Sequence, residues 1–379
     1  MAASVGQLVT IDVKPGGAGD SQSGLNLLAP KVFGRLVAEG CNKDAAFIVI
    51  HPSSNFLGHY LLGPMQKQGR ALLALNTRYG GNDSALLMER CIQDLGAGVA
   101  FLRGQGYRRV VLIGNSGGGS LVALYQSQAE KLSIKTTPDG RPIDLSPADL
   151  PPVDGLAMVA AHPSRARVLT DWLDPSVFDE TDMLAVDPEL DMFNPDNGPP
   201  YGRAWLVRYR AAQAARNERI TGWALARIRA LESNPDPEMP KDAPFLVYRT
   251  AADPRFVDLS LDPSDRKTGT TRGSAKSTNY GTTTLGRICT LRSWLSQWSI
   301  RLSRADGPPC LEKTSVPVLA VTHSADTVVF PSQVGLWQKA AGARCTHHVL
   351  KGATHHLHGQ PELVDKLSGM ISDWASGLK

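Results

Sequence analysis

The sequence predicts an α/β fold, a mostly parallel sheet with helices on both faces and one large, mainly helical insertion. Three observations carry this. Short apolar runs without alternation recur along the chain, as expected of strands covered on both faces. Helical patterns lie between those runs. The alternation then stops over residues 162–315 and resumes afterwards.

The strands follow in order. Ala46–Ile50 reads AFIVI and ends at His51-Pro52, and Ala71–Leu75 reads ALLAL and ends in Asn76-Thr77-Arg78. Val110–Ile113 is rich in β-branched residues and bounded by Gly114. Leu156–Ala160, Val316–Val321 and Cys345–Leu350 complete the set. His347 and His348 fall inside the last run, so a structural role is expected for at least one. Met88, Ile92, Leu95, Val99 and Leu102 share one helical face. A helix beginning near Ser120 follows the third strand. The chain closes on an amphipathic helix opened by Pro361 and carrying Leu363, Leu367, Met370, Ile371 and Trp374.

Composition narrows the function. The chain has 379 residues, 42% hydrophobic and 20% charged, within the ordinary globular range. A net charge of +4 is too weak to imply a nucleic-acid or membrane partner. No run of 18 apolar residues occurs, so no transmembrane helix is expected. MAASVGQLVTIDVKPGG has neither a basic nor an apolar leader region, so no secretory signal is expected. Cys41, Cys91, Cys289, Cys310 and Cys345 are odd in number and lack CxxC spacing, which predicts reduced thiols in a cytoplasmic protein. The expected partner is a small-molecule substrate. Nothing in the sequence sets an oligomeric state.

The chemistry concentrates after the third strand. VVLI runs into Gly114-Asn115-Ser116-Gly117-Gly118-Gly119, with a helix next. In a chain with 36 glycines, G-x-S-x-G alone is weak. The strand before it and the helix after it make it specific, because the chain must turn sharply and leave the serine hydroxyl exposed. The loop lacks the Lys-Ser/Thr of a P-loop and the spacing of G-x-G-x-x-G. Ser116 is therefore the candidate nucleophile.

A serine needs a base, and the base needs a carboxylate that orients it. Asp326 lies just past the strand VPVLAV, where loops of an open sheet gather around a site. His355 follows Gly352-Ala353-Thr354 past the last strand and suits the base, with His356 as competitor. His355, His356 and His358 are also the composition of a metal cluster, but no HExxH spacing accompanies them, so neither metal nor cofactor is expected. A tetrahedral intermediate needs two N–H donors. One is the Gly117 amide. Pro52 has no N–H, so the second is Ser53 or Ser54.

The chain resembles the α/β-hydrolases of the serine-hydrolase type. The residues that carry the resemblance are His51-Pro52-Ser53-Ser54, Asn76-Thr77-Arg78-Tyr79-Gly80, Gly114-Asn115-Ser116-Gly117-Gly118, Ser324-Ala325-Asp326 and Gly352-Ala353-Thr354-His355. It implies Ser116 as nucleophile, Asp326 as acid and His355 as base. It also implies a catalytic core of residues 1–161 and 316–379, with residues 162–315 as a cap over the sheet's carboxyl edge. The implied reaction is hydrolysis of a carboxylic ester through an acyl-enzyme; a small hydrophobic or aromatic substrate is the expectation from the tryptophans of residues 162–315. Amide hydrolysis, carbon–carbon hydrolysis and acyl transfer use the same triad.

Residues 162–315 hold five of the seven tryptophans. Trp294 and Trp298 are one turn apart on a helix expected over Arg287–Ser303, and they either roof an acyl pocket or fill ordinary core. A second helix is expected over Tyr201–Ser233. Its arginines, Arg203, Arg208, Arg210, Arg216, Arg219, Arg227 and Arg229, form either an anion-attracting or a solvated face. In Asp262–Thr284, 13 of 23 residues are Gly, Ser or Thr, which predicts an exposed loop or mobile lid.

Overall fold

A computed structural model of the chain describes residues 6–16 and 30–378. The stretch read for a leader begins outside the described residues. The main sheet has eight strands in two halves of the chain. In chain order the first half holds β1 (Gln7–Asp12), β2 (Lys31–Val37), β3 (Ala45–His51), β4 (Ala71–Asn76), β5 (Arg109–Asn115) and β6 (Gly155–Val159). The second half returns to the same sheet with strands Val318–His323 and Cys345–Leu350, labelled β9 and β10 below. The spatial order is β1-β2-β4-β3-β5-β6-β9-β10. β2 pairs antiparallel with both β1 and β4, so it alone runs against the others, and every pair from β4 onward is parallel. This is the α/β-hydrolase fold. β1 and β2 escaped the sequence reading, because half-exposed QLVTID and KVFGRLV lack a long apolar run.

Each strand side chain enters one of two cores, following the period-2 alternation of a pleated strand. Ala46, Ile48 and Ile50 of β3 meet helices α2 (Met88–Gly104) and α3 (Gly118–Glu130). Phe47 and Val49 meet α1 (Leu62–Lys67) and the C-terminal helix Pro361–Ser376 on the opposite face. Every side chain of β3, β4 and the last six of β5 is buried. Each large one contributes about 1.5–3 kcal/mol of burial free energy. With both faces covered, these strands read as continuous apolar runs.

Between β6 and β9 the chain builds α4 (Arg165–Trp172), α5 (Arg203–Glu232), a small antiparallel pair β7 (Pro244–Leu246) and β8 (Ile288–Thr290), α6 (Ala275–Tyr280) and α7 (Gly307–Leu311). This segment has a core of its own: Leu169, Leu173, Ile220, Ala224, Ile228, Val247, Leu291, Trp294, Leu295 and Trp298. A second cluster joins it to the sheet through Val168, Trp172 and Phe256 against Ala320, Val328 and Phe330. Its two ends meet, with Ser164 and Asp306 forming an antiparallel bridge and the Gly307 amide donating to Pro163 O at 2.8 Å. It is also tied to the start of α2. Met88 N–H donates to Ser296 Oγ (2.8 Å), and that hydroxyl donates to Glu89 Oε2 (2.7 Å).

One expectation for this segment is corrected and two are qualified. Arg287–Ser303 is not one helix. Ile288 to Thr290 pair with β7, Thr290 Oγ1 caps a new turn by accepting from Ser293 N–H, and Trp294–Trp298 form a π-helical turn. Asp262–Thr284 is largely exposed, as expected, but it holds α6 and is anchored by a few buried side chains. Asn279 is fully buried, its side chain bonding Asp174 Oδ2 and the Ala251 amide, and Arg266 lies buried among backbone carbonyls. On α5, Arg203, Arg208, Arg219, Arg227 and Arg229 are exposed, as a solvated face would have them, whereas Arg216 is buried and Arg210 half-buried, each in an ion pair. Arg210 pairs with Asp253 and Arg216 with Glu180. Elsewhere, β10 lies at the sheet edge, so His347 and His348 are exposed, although His347 Nε2 hydrogen-bonds Thr322 Oγ1.

Candidate active site

β5 delivers Ser116 into a turn with φ of +55°, a left-handed conformation that a serine adopts only under constraint. The Ser116 amide donates to Ala160 O (3.1 Å), and its carbonyl accepts from His162 N–H (2.9 Å), so the end of β6 holds the turn. Close packing behind it needs glycine. A Cβ on Gly118 would stand 2.0 Å from Ile50 O. That spacing lets α3 start immediately after the serine and aim its N-terminus at the cavity.

The strand β9 (Val318–His323) ends in the loop that bears Asp326, and β10 (Cys345–Leu350) ends in the loop that bears His355. The two loops are laced together. Ala325 N–H donates to Ala353 O (2.9 Å), and the Thr354 carbonyl bonds His323 Nδ1 (2.9 Å). Asp326 Oδ1 accepts from the Val328 and Val329 amides at 2.8 and 3.0 Å. His355 Nδ1–H donates to Asp326 Oδ2 at 2.7 Å, and the Ser116 hydroxyl donates to His355 Nε2 at 3.0 Å. Burial pushes the Asp326 carboxyl up, but His355 and the two amides outweigh it and hold the carboxyl below its usual value. An ionised Asp326 accepts only, which places the His355 proton on Nδ1 and leaves Nε2 to accept from the serine.

The structure thus brings Ser116, Asp326 and His355 into one chain of hydrogen bonds. His356 is exposed, its ring 4.6 Å from that of His355, and it lines the cavity mouth without bonding the serine. Both nitrogens of His355 are engaged. Among the described residues, no group of three His, Cys, Asp or Glu is arranged to hold a metal ion.

The cavity over Ser116 measures about 440 Å³. Its floor is His51, Ser53, Ser54, Asn55, Ser116, Gly117, His162, His355 and the loop Gly81-Asn82-Asp83. Its roof comes from Val168, Trp172, Thr270, Thr271, Arg272, Thr278, Thr284 and Leu285. Only Val168, Trp172, Leu285 and Val328 are apolar. The lining is therefore mixed, with these four as an apolar wall among mostly polar residues.

Two candidate sets are corrected. Trp294 and Trp298 do not line the cavity. Both are fully buried in the insertion's own core, where Trp294 Nε1–H donates to Thr221 Oγ1 and Arg165 stacks on Trp298. Trp172 is the tryptophan that reaches the cavity. Ser53 and Ser54 do line it, but their amides turn inward and donate to His51 Nδ1 at 3.1 and 2.9 Å. The ring of the preceding histidine captures both N–H groups.

Sequence reading passed over His162 and Arg165. His162 lies three residues past β6 and Arg165 opens α4 three residues later, and the loops past a parallel strand's carboxyl end are where sites gather. Arg165 is buried, with Nη2 donating to Asp83 Oδ2 (2.7 Å) and Gln297 Oε1 (2.9 Å). His162 is driven down to about pKa 3, first by burial and then by neighbouring His355, so its ring is neutral.

No family model matches the chain, and no curated protein matches it. Among solved structures it is similar to a siderophore hydrolase from Aspergillus fumigatus, at 12% identity and TM-score 0.48, covering 92% of this chain and 95% of that one. It is similar also to the esterase domain of a Rhodothermus marinus protein, at 14% identity and TM-score 0.46, covering 97% and 98%. A third is a monoacylglycerol lipase from Paleococcus ferrophilus, at 11% identity and TM-score 0.46, covering 90% and 97%.

Proposed function

We propose that the protein is a metal-independent serine hydrolase that cleaves a small carboxylic ester through an acyl-enzyme. The observation that carries this is the Ser116–His355–Asp326 chain at 3.0 and 2.7 Å, on a serine held at positive φ beside a helix N-terminus. His355 Nε2 takes the Ser116 proton as Oγ attacks the carbonyl carbon. The Gly117 amide donates to the oxyanion. The intermediate collapses, His355 protonates the departing alkoxide, and the acyl group stays on Ser116. Water then attacks, His355 accepts its proton and returns it to Ser116, and the carboxylic acid leaves. Asp326 holds the ring tautomer and stabilises the imidazolium throughout.

Residues 162–315 act as the cap that sets substrate choice, since they supply the roof. A cavity of 440 Å³ lined mostly by Ser, Thr, Asn, His and Arg favours a short acyl or aryl group against Trp172 and Leu285, with polar substituents elsewhere. Fluorophosphonate labelling tests the nucleophile. Wild type is expected to react at Ser116 and Ser116→Ala not at all. Equal labelling of both proteins, or none of wild type, overturns the assignment.

A further inference from the structure

The inward turn of the Ser53 and Ser54 amides leaves the developing oxyanion one backbone donor short. The same contact supplies a replacement. An imidazole nitrogen that accepts two N–H groups carries no proton. Nδ1 of His51 accepts from Ser53 at 3.1 Å and from Ser54 at 2.9 Å, so a neutral His51 must carry its proton on Nε2. That nitrogen lies beside the residue after the nucleophile: a Cβ built on Gly117 would be 2.7 Å from His51 Nε2 and 3.3 Å from Arg165 Nη1. Gly117 and His51 both line the cavity over Ser116. Among the described residues, no protein acceptor answers the Nε2–H.

We propose that the His51 side chain is the second oxyanion donor, its Nε2–H converging with the Gly117 amide on the carbonyl oxygen of the substrate. This rests on Ser116 being the nucleophile. The ring is suited to the work. Burial, then the Arg165 charge and the neighbouring His162 and His355, hold its pKa well below the ordinary value, so it stays neutral and its tautomer does not change. A neutral donor of fixed orientation does not trade its proton with the intermediate. The guanidinium of Arg165, on the same side of Gly117 as the His51 ring, adds positive potential where negative charge forms. The rigid two-residue clamp on Nδ1 does the orienting that a backbone amide would otherwise get from its own peptide plane.

Fluorophosphonate labelling kinetics test this, because phosphonylation of Ser116 also loads the oxyanion site. His51→Asn keeps an acceptor near the Nδ1 position and removes the outer donor. It is expected to slow labelling and ester turnover about 10²–10³-fold, mainly in kcat. His51→Gln, which restores an N–H near the Nε2 position, is expected to recover at least tenfold of that loss. Labelling of His51→Asn at the wild-type rate, with wild type labelled at Ser116, overturns the donor role and leaves the nucleophile standing. Failure of wild type to label removes both. A measurement on wild type covers the case of a misfolded variant. The His51 Nε2 proton is expected to move downfield in NMR spectra when a trifluoromethyl ketone forms its adduct. An unmoved resonance overturns the proposal.

Discussion

The floor of the cavity is made of strand ends, and its roof of a segment with few strand signals. On the floor, β5, β9 and β10 place Ser116, Asp326 and His355 one, three and five residues past their carboxyl ends. On the roof, Trp294 and Trp298 turn away into a private core while Trp172, Arg272 and Leu285 reach the cavity. A parallel sheet fixes where its loops emerge, so a residue a few positions past a strand's carboxyl end is already brought to that edge. A helical layer fixes only which face is apolar, and two apolar faces compete for each large side chain.

The sharpest way to break this contrast is at the floor. Asp326→Asn removes the charge that sets the His355 tautomer, and kcat is expected to fall about 10⁴-fold while circular dichroism stays native. His355→Ala is expected to be at least as severe, with His356→Ala within a few-fold of wild type. The reverse pattern in ester assays moves the base by one residue. The roof's core comes next. Trp298→Ala empties a fully buried site and is expected to cost about 3–5 kcal/mol in urea unfolding, with KM of the folded enzyme little changed.

Acid is a smaller lever. His59, His162 and His323 are lowered to about pKa 4, 3 and 4, in each case chiefly by burial. Unfolded, each titrates near 6.5, so the unfolded chain binds protons that the folded one does not. Their contribution to stability is complete above pH 6.5 and is lost as pH falls from there toward 4 and below. His162→Gln is expected to shrink the stability loss between pH 7 and pH 5 by about 2 kcal/mol. An unchanged loss means that His162 is protonated in the fold. Smallest is the apolar wall: Trp172→Phe is expected to shift KM by up to about tenfold between short alkyl and aryl esters, while Trp298→Phe leaves that ratio alone. Equal shifts in both variants erase the distinction between roof core and roof lining.

How much was legible follows the same division. The run VVLI, the glycines around Ser116 and the order of Ser116, Asp326 and His355 along the chain were enough to place the hydrogen-bonded floor. The direction of the Ser53 and Ser54 amides was not legible, because it depends on backbone torsions, and nothing in His-Pro-Ser-Ser states that both would donate to the ring of His51. The helix expected over Arg287–Ser303 failed for a local reason. Ile288-Cys289-Thr290 suits a strand, and Thr290 caps the turn that follows. The pinned state of Asp262–Thr284 was hidden because its anchors, Asn279 and Arg266, are polar and bury themselves through hydrogen bonds that no apolar pattern records.

The meeting of Ser164 and Asp306 at the base of the insertion has a consequence for how such a chain can change over time. Whatever lies between them starts and finishes at one stem, and the closure entropy of a loop rises only about 0.6 kcal/mol for each doubling of its length. Closure of that stem therefore sets little limit on the length of the detour. What limits its exchange is the contacts it keeps with the core, through Val168, Trp172 and Phe256 and through Ser296 to Met88 and Glu89. Grafting a foreign segment that keeps those contacts between positions 164 and 306 is a route to testing whether the detour sets substrate preference.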